Sequence, residues 1–399
     1  MRLLFLEDTP TSTHGGMELS LFDECCDLAA RGHQITLGYT TRGDLLTRYE
    51  ENGVRTVHLS RYSIDRRTPL RGMTSWGVGM ARALRTRPDA IVINAYYNSL
   101  FGGVFSRLAR VPLLCHLRLM APADICWQWR VMLPRVTRFI AVSGAVRDSY
   151  VASGVDAATI DVVHDGIDMN LFRPHADRAA IRDSLGVPPD AFVVAFAGRI
   201  DQLKNIDALL RAFAALALPA SEARLLIAGR SVDENAVVYQ EELRALARSL
   251  GIGDAVHWLG TRGDVPRIFS AADVSALFSR LEALARTTYE SMACGTPAIA
   301  PRVGGMGEIL SGEFARFMFD SGDEQAAVAL LRGLRGWRTS DPELGERARA
   351  HAVRHFSKRA MADGVLQSLE RAKAEFPHQR RRRGSFVAQR PAAPGWSAG

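Results

Sequence analysis

The stretch Asp273–Pro301, DVSALFSRLEALARTTYESMACGTPAIAP, changes character three times. DVSALF is a short apolar run that reads as a buried strand ending near Phe278. SRLEALA has no periodicity and reads as loop. RTTYESMACG is helical, with Thr287 or Thr288 placed to cap its start and Gly295 to end it. PAIAP is a second short strand. Strand, helix and strand in this order predict neighbouring strands of a parallel sheet. Glu282 then falls on a loop at the carboxyl edge of that sheet, and Glu290 about one turn into the helix.

The alternation extends outward. FVVAFAGR, ARLLIAG and AVHWLG precede this stretch, each followed by a helical pattern. The front of the chain repeats the plan with RLLFLE, QITLGYT, AIVINAY, VPLLCHL and RFIAVS. Its first helix, within GGMELSLFDECCDLAARGH, has apolar spacing at Leu19, Phe22, Cys26 and Leu28 or Ala29 and stops at Gly32. The turn-rich stretch HDGIDMNLFRPHADR separates the two series. The expectation is an α/β chain of two Rossmann-like, doubly wound parallel-sheet domains, 1–172 and 173–355, facing a cleft where such sheets bind ligands.

Composition fits this plan. A chain of 399 residues exceeds the ~250–300 at which single cores stop growing. Its hydrophobic fraction of 47% and charged fraction of 23% are those of a globular protein. No apolar run approaches the ~18 residues of a membrane span. The start, MRLLFLEDTP, is too short for a signal-peptide core and predicts a first strand and a cytoplasmic protein. Cys25, Cys26, Cys115, Cys126 and Cys294 lack paired spacing and read as reduced thiols. The net charge of +7 favours anionic partners. The tail, 377–399, with Arg380–Arg383 followed by Gly, Pro and Ala, reads as a disordered basic extension. Charge alone supports no nucleic-acid role.

Two cations follow FVVAFAG: Arg199 at once, and Lys204 just before the helical NIDALLRAF. At a strand's end beside a helix N-terminus they make a site for a diphosphate, Arg as a fork and Lys as a point charge. A pair of surface cations is the competing reading. Glu290 is placed to accept ribose hydroxyls, Glu282 to hold sugar hydroxyls, and the amides of Arg286, Thr287 and Thr288 to meet phosphate oxygens between them. Gly304, Gly305 and Gly307 permit close backbone approach to a ligand, as do Gly15 and Gly16, which lack dinucleotide-fingerprint spacing. His116 and Arg118 close the strand PLLCHL and face the cleft. No cluster has metal-ligand spacing, and the serine-hydrolase, P-loop and zinc-protease motifs are missing.

Taken in order, GGMELSLFDECCDLAARGH, FIAVSGAVRDSYVASG, VVHDGIDMNLFRP, AFAGRIDQLKNID, EALARTTYESMACGTPAIA and VGGMGEIL resemble the retaining glycosyltransferases of family 4, which have the GT-B fold. The resemblance spans residues 1 to about 375. It implies an enzyme that moves a sugar from a nucleoside-diphosphate sugar to a glycan, glycolipid or small-molecule acceptor, without metal or other cofactor. By position it implies catalytic roles for Glu282, His116, Arg199 and Lys204. It implies donor binding by Gly16, Arg199, Lys204, Glu282, Arg286, Thr287 and Glu290. It also implies that a last helix, at 356–376, returns to the N-terminal domain. The chain departs from the family in EALA, where Ala285 replaces a common glycine, and in HLRLM, where Arg118 suggests a charged acceptor. A non-catalytic nucleotide-sugar-binding protein and a GT-B epimerase fit the same residues. The basic amphipathic segment 61–87, with Met73, Trp76, Met80 and Leu84 on one face, fits peripheral contact at the inner face of a membrane or a helix packed on a sheet.

Overall fold

A computed structural model describes residues 1–13, 15–60, 62, 69–122, 127–231 and 233–379. The expectations for the Arg380–Arg383 tail, for Arg61, Arg66 and Arg67, and for Cys126 lie outside the described residues. The chain divides into two compact units, one of Met1–His164 with Met361–Gly399, the other of Asp165–Ala360.

The first unit holds β1 (Arg2–Glu7), β2 (Gln34–Tyr39), β3 (Arg55–His58), β4 (Ala90–Ile93), β5 (Leu113–Leu117), β6 (Arg138–Ala141) and β7 (Ile160–Val162). They form one sheet in the order β3-β2-β1-β4-β5-β6-β7, every pair parallel. The second unit holds β8 (Phe192–Ala197), β9 (Ala223–Ala228), β10 (Val256–Gly260), β11 (Val274–Ala276), β12 (Ala298–Pro301) and β13 (Met318–Phe319). Their order is β10-β9-β8-β11-β12-β13, again all parallel. Strand order reverses beside β1 in one sheet and beside β8 in the other. Doubly wound sheets open a crevice at that point, outside the carboxyl ends of the strands.

The central strands are buried on both faces, as parallel strands must be, and so read as largely apolar runs: β4, β5, β6 and β8 are buried throughout. The last helix, Lys358–Gln379, buries Met361, Ala362, Val365, Leu369 and Ala372 in the core of the first unit, with Leu3, Phe5 and Leu28. Each larger side chain in that stripe contributes roughly 1.5–3 kcal/mol.

The boundary falls at His164/Asp165, eight residues before the sequence-based limit, for a structural reason. Ile167 donates its amide to Phe356 O at 2.9 Å and accepts from the Lys358 amide at 3.0 Å, and Lys358 Nζ reaches Asp168 Oδ2 at 2.8 Å. The linker is thus tied to the end of the second unit rather than to the first. A side chain at Gly166 would meet Ser357 O at 2.5 Å, so this pairing needs glycine there.

The helix Pro69–Leu84 lies in the first unit. Met80 and Ala83 are buried, and Trp76 sits edge-on to Phe101 with ring centres 5.6 Å apart. Met73 is 57% exposed. Two of the four residues in the stripe offered to a membrane by the sequence, Trp76 and Met80, are therefore packed within their own unit. No helix of the described residues is long and apolar enough to cross a membrane.

Candidate functional site

In the second unit the turns after β8 and β11, at the reversal of strand order, are zipped together. β8 leads through Gly198 to Arg199, whose Nη2 lies 3.3 Å from Asp201 Oδ2. Asp201 then caps the short turn Gln202–Lys204, accepting from the Lys204 amide at 3.2 Å. Asn205 adopts a left-handed conformation, donates Nδ2 to Phe278 O at 3.1 Å and accepts from Arg280 Nη2 at 2.9 Å. Arg280 N reaches Leu203 O at 2.8 Å. These bonds set Lys204 Nζ 2.5 Å from Glu282 Oε1, with side-chain exposures of 19% and 10%. Behind Glu282, the carbonyl oxygen sits 1.6 Å from where a Cβ on Gly304 would stand, and Gly304 has φ +50°. The glycine read as room for a ligand is instead room for the loop that carries Glu282.

The helix Arg286–Ala293 follows, capped by Ala285, which offers no side-chain acceptor. Thr287 and Thr288 lie inside the first turn, with Thr288 buried, so neither is the cap that the sequence suggested. Gly295 at φ +76° ends the helix as expected. Glu290 is buried one turn in, and Arg286 Nε donates to its Oε1 at 2.7 Å. The structure thus gathers Arg199, Lys204 and Glu282 on adjoining turns of one unit, and Arg286, Thr287 and Glu290 on the helix that follows. A cavity of about 630 Å³ opens beside the Gln202–Lys204 turn, between Asp207, Tyr239, Glu242 and Arg280. Its two carboxylates make it a poor place for a diphosphate, and Arg199, Glu282 and Glu290 do not line it.

Gly16 and His116 belong to the first unit. Gly16 is exposed and starts the first helix, Gly16–Ala30. The loop before it is clamped by Asp44, which accepts from Thr11 Oγ1 at 2.5 Å and the Ser12 amide at 2.9 Å. Burial raises the Asp44 carboxyl, but bonds from Ser12 and Thr11 outweigh it and hold its pKa at about 2.

His116 and Arg118 are not exposed, as their place at a strand end suggested, although His116 Nδ1 has no hydrogen-bond partner among the described residues. Both are buried, and both bind Glu24 of the first helix: Nε2 of His116 at 3.1 Å and Nη2 of Arg118 at 2.9 Å. Arg118 Nε also donates to Asn94 Oδ1 at 2.8 Å, and Asn94 Nδ2 donates to Glu7 Oε2. Arg118 is committed to this network, which removes the reading of it as a sign of a charged acceptor. Burial raises Glu7 to a pKa of about 7 against the Asn94 hydrogen bond. Sequence reasoning passed over Glu24, Asn94 and Glu7. Glu24 carried a signal: with Leu21, Cys25 and Leu28 it occupies the buried stripe of its helix, where an acid needs a partner. Among the described residues, no group of three or more His, Cys, Asp or Glu is placed to hold a metal ion.

Two family models cover most of the chain: "Glycosyltransferase Family 4" matches residues 14–171 and "Glycosyl transferases group 1" matches residues 177–351. Among curated proteins, the D-inositol 3-phosphate glycosyltransferases of Mycobacterium bovis BCG Pasteur and Mycobacterium tuberculosis H37Rv are each 37% identical over 245 residues, 59% of this chain and 48% of theirs. The chain thus matches about half the length of these curated relatives. Among solved structures, the Anabaena protein HepE in complex with UDP superposes with a TM-score of 0.79 at 24% identity, covering 93% of this chain and 100% of that one. Sucrose-phosphate synthase from Thermosynechococcus elongatus superposes with a TM-score of 0.75 at 20% identity, covering 94% and 99%. Both likenesses concern the fold.

Proposed function

The chain belongs to the glycosyltransferases of family 4, with their GT-B pair of parallel-sheet domains, and on that premise we propose that it moves a sugar, with retention of configuration, from a nucleoside-diphosphate sugar to an acceptor hydroxyl. The observation that carries this reading is the placement of Arg199, Lys204 and Glu282 at the strand-order reversal of the second unit, next to the helix that bears Glu290.

In this reading Arg199 and Lys204 hold the diphosphate and Glu290 accepts the ribose diol. Glu282 binds hydroxyls of the donor sugar, and the amides at Arg286 and Thr287 meet phosphate oxygens. His116 and Gly16 serve from the first unit. The acceptor oxygen attacks the anomeric carbon, the bond to the diphosphate breaks, and the acceptor's proton passes to a departing phosphate oxygen. Arg199 and Lys204 stabilise the charge that grows on the leaving group, so the scheme needs no metal. HepE was solved with UDP and with UDP-glucose, which makes uridine donors the first to try. The mycobacterial relatives are named for an inositol phosphate, so polyols and sugars are the first acceptors. The membrane option rests on the arginines of segment 61–87 and on Met73, with a cytoplasmic protein acting at the inner face.

The test is binding followed by turnover. A nucleoside diphosphate at ~100 Kd should stabilise the protein by about 2.7 kcal/mol. Incubation with the matching nucleotide sugar and an acceptor pool should yield a product whose anomeric configuration is read by NMR. Turnover of the nucleotide sugar without acceptor would instead point to an epimerase, and binding without turnover to a scaffold.

A further inference from the structure

The arrangement of Glu24 between His116 and Arg118 has a chemical consequence. Glu24 is wholly buried, and its two oxygens are divided: Oε1 faces His116 Nε2 at 3.1 Å and Oε2 faces Arg118 Nη2 at 2.9 Å. A guanidinium only donates and does not lose its proton in proteins. Paired with it, Glu24 stands as a carboxylate, which only accepts. The imidazole must therefore put a proton on Nε2. Its other nitrogen, Nδ1, is buried and has no hydrogen-bond partner among the described residues. Asn94 holds the far side of Arg118 at Nε, so the guanidinium cannot swing away without leaving buried groups unpaired.

We infer that Glu24 and Arg118 together are positioning residues that fix His116 in the Nε2–H form, so that Nδ1 keeps its lone pair and accepts a hydrogen bond from a substrate hydroxyl. This rests on the reading that His116 serves the substrate. It adds the atom, the direction of the hydrogen bond and the residues that enforce them. A ligand that bears a hydrogen-bond donor is the class selected, and in a sugar or polyol substrate that donor is a hydroxyl, since a group without a proton has nothing to offer a bare imidazole nitrogen.

The substitution Glu24→Gln separates this from simple packing. Arg118 can only donate, so the glutamine must turn its carbonyl oxygen to Arg118 and its NH₂ to His116. The NH₂ donates to Nε2, and the imidazole proton moves to Nδ1. The ring stays in place and its polarity reverses. Adding Arg118→Met frees the glutamine to turn its oxygen back to Nε2.

Long-range ¹H–¹⁵N NMR of ¹⁵N-histidine-labelled full-length protein reads this, with His116 assigned by loss of its signals in His116→Asn. Wild type should show Nε2–H. Glu24→Gln should show Nδ1–H, bind UDP as wild type does, keep its donor KM and lose at least about 100-fold in kcat, the scale set by wrong-tautomer and acid–base defects. Glu24→Gln/Arg118→Met should recover the Nε2–H signal and much of the lost kcat. Wild-type protein with Nδ1–H overturns the inference without any variant, even if Glu24→Gln does not fold. Full kcat in a folded Glu24→Gln protein that shows Nδ1–H overturns it as well. The NMR arm is independent of turnover. A protein that shows Nε2–H yet transfers no sugar would refute the transferase reading and leave the tautomer assignment standing.

Discussion

Lys204 Nζ lies 2.5 Å from Glu282 Oε1, bridging the turns after β8 and β11 where the strand order of the second sheet reverses. The pair is mostly shielded from solvent. In the free protein each charge neutralises the other, and in the proposed reading a donor must compete for both. Lys204→Ala should weaken UDP binding and lower kcat/KM by about 10²–10³, the usual loss for one preorganised charge contact. Glu282→Ala should leave UDP binding near wild type, or tighten it by releasing Lys204, while lowering kcat. Because the two touch, the double variant should be non-additive by roughly 0.5–3 kcal/mol. Calorimetry with UDP and steady-state kinetics on the four proteins decide it. Strict additivity would mean that the two act on the donor independently, and unchanged UDP binding and kcat/KM in both single variants would mean that the pair is not part of the donor site.

Glu290 is buried and bonded to Arg286 at 2.7 Å, so its carboxylate is already oriented and desolvated. A hydrogen bond to a charged acceptor is worth about 1.5–3 kcal/mol. Wild type should therefore bind UDP about 10- to 150-fold more tightly than an analogue lacking the ribose hydroxyls. Glu290→Ala should bind the two equally. A variant that still discriminates would move the ribose elsewhere.

Glu7 gives a pH signature. Its carboxyl ionises at 4.5 in an ordinary setting and at about 7 in the fold, where burial favours the neutral acid. Between those values the folded state holds more protons than the unfolded one, so this group's stabilisation is complete below 4.5 and is lost as pH rises to about 7. The loss is on the order of 3 kcal/mol. Glu7→Gln keeps an acceptor for Asn94 and removes the titration. The stability difference between variant and wild type should grow in the variant's favour across this window and then level off. Urea unfolding at several pH values measures it, and a flat difference would refute the shift.

The parts of the fold that were legible in the sequence are those where burial dictates residue type. β1, β8 and β9 appear as apolar runs because their side chains are buried. β3, RTVH, was missed because it lies at the sheet edge with no fully buried residue. β13 is two residues long, too short for any pattern. The second-unit cations and glutamates were legible because each stands just beyond a strand or at a helix start. The surroundings of His116 were not, because Glu24 is 92 positions away and only the fold brings them together. The role given to Gly304 erred for a related reason: a glycine announces close approach but not by what, and there the visitor is Glu282's own carbonyl.

That close approach makes Gly304 a test of whether Glu282 needs its exact backbone position. An alanine there would put Cβ 1.6 Å from the Glu282 carbonyl oxygen, and at φ +50° the backbone itself disfavours a side chain. One of the two segments must move, and the 282 loop, bonded through Lys204, Arg280 and the Gly305 amide, is the one that carries function in the proposed reading. Gly304→Ala should cost at least about 1 kcal/mol of stability and lower kcat far more than the fraction unfolded explains. Gly307, three residues on and inside the short helix Met306–Ile309, has nothing within 4 Å of the place a methyl group would occupy. Gly307→Ala should be neutral or stabilise by about 0.4–1 kcal/mol, with activity kept. Thermal unfolding and kinetics on the two variants measure the contrast. Equal behaviour of the pair would show that the Glu282 loop absorbs displacement freely and is not held in place for catalysis.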